Sequence, residues 1–94
     1  MKKYLFTYGP SLGTRDKLTE VLNGMKEIKG WRYDIPNSFY IFTELNAKDL
    51  VNRIRQACGG KGRCIAVAME DYHGWLPHET WEYMKKVEER EAEL

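Results

Sequence analysis

No long apolar run occurs in this sequence. A membrane-crossing helix needs roughly 20 consecutive apolar residues, and nothing here approaches that, so a transmembrane protein is excluded. The opening Met1-Lys2-Lys3 is basic, yet the apolar stretch behind it is too short for a secretory leader and lacks a small-residue cleavage site, so the expected location is the cytoplasm. Proline is scarce, three in 94 residues, and there is neither a repeat nor a linker. With 43% hydrophobic and 31% charged residues, that scarcity argues against disorder and for one globular domain. Cysteine is nearly absent. Cys58 and Cys64 cannot complete a tetrahedral zinc site, and their spacing is not that of a redox pair, so both are expected as free, buried thiols.

Net charge is also close to absent, at +1. That balance hides an asymmetry: residues 1–63 carry twelve Lys/Arg against six Asp/Glu, and residues 64–94 carry three against eight. A basic body with an acidic end suits a polyanion-binding face, or a solvated surface with an acidic terminal helix.

Periodicity then divides the chain. Aromatics at every second position (Tyr4, Phe6, Tyr8) predict a strand over 3–8. After the break at Gly9-Pro10, Thr14 is a candidate cap for a helix over 14–25. A second strand is expected over 27–33, turn residues over 34–37, and the most strand-prone segment over 38–44. Asn46 with Asp49 reads as the start of a second helix that ends at Gly59-Gly60. A fourth strand over 64–69 and a helix over 77–91 that opens with Pro77 complete the pattern. The order is that of an α+β, ferredoxin-like βαββαβ sandwich with an extra C-terminal helix. Residues 1–70 form the expected core, and 71–94 a segment anchored by Trp75 and Trp81 with the acidic helix behind it.

Such a sheet covers one face with helices and leaves the other free. The aromatics Tyr4, Phe6, Tyr8, Tyr40 and Phe42 are therefore expected partly in the core and partly in a homodimer interface, because a large apolar patch is rarely left bare. Base stacking on the free face is the competing reading. Arg15, Lys17, Arg53, Arg55, Lys61 and Arg63 are the candidate nucleic-acid contacts, since the planar guanidinium grips two phosphate oxygens at once. Gly59-Gly60-Lys61-Gly62-Arg63 lacks the spacing of a P-loop. Asp71, His73, His78 and Glu79 resemble metal ligands in type but not in spacing, so no metal site and no catalytic residue is expected.

Several of these segments, taken in order, resemble a known family. They are the glycine-interrupted loop with Arg15-Asp16-Lys17-Leu18, the Gly30-Trp31 pair before Asn37-Ser38-Phe39-Tyr40-Ile41-Phe42-Thr43, the helix start Asn46-Ala47-Lys48-Asp49-Leu50, and Gly74-Trp75-Leu76-Pro77 with Trp81. Together they are similar to the SinR-like relatives of the small CRISPR adaptation protein and the VapD toxins, over residues 3–70 and again near the end. The resemblance implies a ferredoxin-like protomer, a homodimer and, in some members, a nuclease that holds Mg²⁺ or Mn²⁺ with an aspartate at the end of the first strand. The matching position here is Gly9, which has no oxygen to bind a hard cation. That departure argues against cleavage and leaves nucleic-acid binding. Tyr8-Gly9-Pro10 is faintly similar to the loop of γ-glutamylcyclotransferase-like enzymes, without their strand order. The expected function is a non-catalytic nucleic-acid-binding or defence-associated protein, with no cofactor, acting as a homodimer on DNA or RNA. A protein-interaction module, such as a toxin–antitoxin partner or phage-borne inhibitor, is the alternative. A divalent-metal endonuclease using Asp16 or Asp34 is the third.

Overall fold

A computed structural model describes residues 1–93, with side chains described through residue 90. The chain runs β1 (Lys2–Tyr8), α1 (Arg15–Asn23), β2 (Ile28–Arg32), β3 (Ser38–Thr43), α2 (Ala47–Ala57), β4 (Cys64–Ala68) and α3 (His78–Glu93). Both caps read from the sequence form. Thr14 Oγ1 accepts from the Lys17 amide at 3.1 Å, and Asn46 Oδ1 accepts from the Asp49 amide at 2.8 Å, so each satisfies a first-turn donor that the helix leaves unpaired.

The strands form one antiparallel sheet in the order β2-β3-β1-β4. The fold is α+β, and its order is compatible with the ferredoxin-like plan. Side chains alternate between faces along each strand. Tyr4, Phe6 and Tyr8 of β1, with Phe39 and Ile41 of β3, point toward α1 and α2, where Leu18, Leu22, Leu50 and Ile54 close the main core. Tyr40 and Phe42 point the other way.

That second face is where the structure corrects the sequence reading. It is not left free, because α3 lies across it, and Met84 and Val87 bury Tyr40 and Phe42 in a second core. Gly30, in the middle of β2, permits the approach: a Cβ there would stand 2.7 Å from the Tyr83 hydroxyl oxygen. That hydroxyl accepts from the Trp31 amide at 2.9 Å. The five aromatics expected in part at a dimer interface are thus at most 5% exposed, three beneath α1 and α2 and two beneath α3. The chain's own third helix takes the place on this face that a second copy was expected to fill.

The cover is incomplete. α3 sits over β2 and β3, while Ile65 and Val67 of β4, on the same face, stay 58% and 50% exposed. Trp81 packs into the second core and stacks on Tyr72 and His73. Trp75, expected as its fellow anchor, is 100% exposed. Among the described residues no helix is long and apolar enough to cross a membrane.

Candidate nucleic-acid interface

Two glycine-bearing loops meet at one end of the sheet. The β1–α1 loop closes on itself where the Leu12 amide donates to the Gly9 carbonyl at 3.1 Å, and the Gly9 amide donates to the Arg63 carbonyl at 2.9 Å. Gly62, in the α2–β4 loop, has φ 98° and lies so close that a Cβ would fall 2.5 Å from the Leu12 backbone. Only glycine tolerates both the left-handed backbone and the close approach. A shallow cleft lined by Thr7, Tyr8, Gly9, Arg63, Cys64 and Ile65 opens beside this junction.

The fold brings five of the six expected basic residues to this end. Arg15, the first residue of α1, stands over the Tyr33 ring at 4.3 Å, within cation–π range, and also neighbours Tyr8. Burial raises the Tyr8 phenol above its ordinary value, and the Arg15 guanidinium partly offsets the rise. Lys17 lies near Cys58, whose thiol is pushed up by burial against the pull of the Lys17 ammonium. Arg55 Nε donates to the Gly62 carbonyl at 3.0 Å, which ties α2 to the loop carrying Lys61 and Arg63. Arg15, Lys17, Arg55, Lys61 and Arg63 are all exposed, and among the described residues none forms an ion pair. Asp16, in the first turn of α1, is the acidic residue between Arg15 and Lys17.

Arg53 is not part of this set. It sits two positions from Arg55 on a helix, so it leaves on another flank, and its Nη1 pairs with Glu27 Oε2 at 2.5 Å. The hydrogen bond from Arg53 holds the Glu27 carboxyl below its ordinary value. Cys58 and Cys64 are free and half-buried at the two ends of the loop.

Arg32, Asp34, Tyr40 and Thr80 build a latch rather than a site. Asp34 accepts from the Tyr40 hydroxyl at 3.0 Å and from the Thr80 hydroxyl at 2.5 Å, while Arg32 Nε donates to Thr80 Oγ1 at 2.8 Å. Burial first, then the Asp34 carboxylate, pushes the Tyr40 phenol far above its ordinary value. Both oxygens of Asp34 are engaged, so it is poorly placed to serve a metal. Among the described residues no three His, Cys, Asp or Glu side chains are grouped to hold one. Of the sequence-suggested cluster, His73 stacks on Trp81 and His78 pairs with Glu82 at 3.1 Å, and neither joins Asp71. Sequence reasoning missed Tyr33 as the ring under Arg15, although an aromatic just past β2 was the available signal. No family model matches the chain, and neither the curated proteins nor the solved structures contain a significant match.

Proposed function

We propose that this chain is a ferredoxin-like, non-catalytic nucleic-acid-binding protein that acts as a homodimer, in the manner of the defence-associated family it resembles. The antiparallel order β2-β3-β1-β4, with a helix crossing after β1 and after β3, supports the ferredoxin-like assignment. One observation carries the functional reading. Arg15, Lys17, Arg55, Lys61 and Arg63 gather around two glycine loops without a carboxylate partner among the described residues, whereas Arg53 and Lys3 elsewhere are paired with Glu27 and Glu88. A cluster of cations left unneutralised by the fold is the electrostatic footprint of a polyanion site. Phosphate oxygens suit these side chains, and the exposed Arg15–Tyr33 stack offers a surface to a base or sugar.

Fluorescence anisotropy with labelled single-stranded RNA and double-stranded DNA, at about 50 and 200 mM salt with Mg²⁺ or Mn²⁺, tests this. The expected result is binding with an intact probe, weakened on the order of 10²-fold across that salt range for about five phosphate contacts. Arg15→Glu with Lys17→Glu should abolish it, and because carboxylates are favoured in a first helical turn the fold should persist. Probe cleavage would instead revive the nuclease reading. No binding at low salt would overturn the proposal and favour the protein-interaction module, to which the exposed Trp75 is the best pointer.

A further inference from the structure

The two edges of the sheet are built differently. The β2 edge is blunted: its register shifts between Ile28 and Gly30, Lys29 stands exposed at the irregularity, and the Trp31 amide is taken by the Tyr83 hydroxyl. These are devices by which edge strands avoid pairing with other chains. The β4 edge has none of them. Its sequence, Cys-Ile-Ala-Val-Ala, holds no charge, no proline and no glycine, it pairs in unbroken register with β1, and Ile65 and Val67 are at least half exposed.

What flanks this bare strand identifies its occupant. Lys61 and Arg63 precede it and Glu70 and Asp71 follow it, and all four stand exposed beside the strand ends. A strand that is basic before an apolar centre and acidic after it complements itself when turned antiparallel. We infer that β4 pairs with β4 of a second copy about a two-fold axis at Ala66, joining two sheets into one of eight strands. In this register all five strand residues are matched. Ala66 meets the partner's Ala66, Ile65 meets the partner's Val67, and Cys64 meets the partner's Ala68. Beyond the strand, Lys61 lies opposite the partner's Asp71 with the partner's Glu70 beside it, and the symmetry repeats this at the other end. Parallel pairing would instead set basic against basic and acidic against acidic, which opposes association. The axis is perpendicular to the sheet, so Ile65 and Val67 of both copies share one face and form a single apolar strip beside α3. A five-residue ladder is a small interface, so the association is weak and concentration-dependent.

This inference rests on the homodimer part of the reading above, and because it engages Lys61, which also belongs to the proposed phosphate-binding set, it is tested without nucleic acid. Sedimentation equilibrium on the nucleic-acid-free protein, up to high micromolar concentration, tests it with two charge variants. Lys61→Glu/Arg63→Glu and Glu70→Lys/Asp71→Lys should each weaken self-association by about tenfold or more, because like charges then meet at both ends. An equimolar mixture of the two should form a heterodimer tighter than either variant alone. The fourfold exchange should restore wild-type association. Circular dichroism melts check that these surface positions leave the fold intact. A wild-type chain that stays monomeric throughout overturns both the homodimer and the β4 pairing. A dimer indifferent to all the variants preserves the homodimer and overturns this edge.

Discussion

At the scale of single residues, Gly62 and Trp75 show what a residue type does and does not disclose. Gly62 combines a left-handed backbone with the Leu12 main chain at 2.5 Å from any added Cβ, whereas Gly59, also left-handed at φ 98°, has nothing within 4 Å. Gly59→Ala should therefore lower stability by about 1–2 kcal/mol, the left-handed penalty alone. Gly62→Ala should cost about 3 kcal/mol, with overpacking added, and urea denaturation of the pair would show the difference. The glycine run is legible as a turn in the sequence. Which of its glycines abuts another loop is not, because Leu12 is 50 positions away along the chain. Trp75 misleads in the opposite direction, since its size suggests an anchor and its placement denies it one. Trp75→Ala should change stability by no more than about 0.5 kcal/mol, while Phe42→Ala, which opens the second core, should remove about 3–5 kcal/mol.

At the scale of elements, the informative contrast lies between the existence of α3 and its docking. A proline start and an acidic, amphipathic run make the helix readable in isolation. Its position over Tyr40 and Phe42 depends on Arg32, Asp34 and Thr80, polar residues whose pairing spans 46 to 48 positions and leaves no local trace in the sequence. The same cause hides the covered face: alternation shows that Tyr40 and Phe42 oppose Phe39 and Ile41, but not what lies on them. The latch predicts two measurable effects. Thr80→Val leaves Arg32 Nε and one Asp34 oxygen without this hydroxyl between them, and it should cost about 1–3 kcal/mol in chemical denaturation. The Tyr40 phenol is raised in the folded chain above its ordinary 10.0, so the folded state keeps a proton that the unfolded state releases. Its contribution is therefore complete below about pH 10 and declines as pH rises beyond that point. Tyr4, Tyr8 and Lys3 are raised as well and act in the same sense. Tyr40→Phe should accordingly flatten, without abolishing, the alkaline loss of stability between about pH 9.5 and 11.5 in urea-unfolding midpoints.

At the scale of the whole molecule, the question is whether the basic excess of residues 1–63 acts as net charge or as geometry. Charge counting marks a boundary between Arg63 and Cys64, and the order of the amino acids alone makes that much legible. It treats Arg53 and Lys17 as equivalent, which the fold does not. Arg53 is held by Glu27 on the flank of α2, whereas Lys17 stands in the unpaired set at the loop end. If the polyanion is gripped at that end, each cation there releases condensed counterions from the nucleic acid on binding, and the slope of log K against log salt counts those cations. Lys17→Ala should then reduce the magnitude of the slope by about 0.7 on single-stranded RNA and about 0.9 on duplex DNA. Arg53→Ala should leave the slope unchanged, although it removes the same formal charge. A diffuse field from the whole basic segment makes the opposite forecast, in which both substitutions weaken binding equally and neither stands out in the slope. The two salt titrations, run on the same probe, separate a site from a surplus, because a site requires that position matter more than charge.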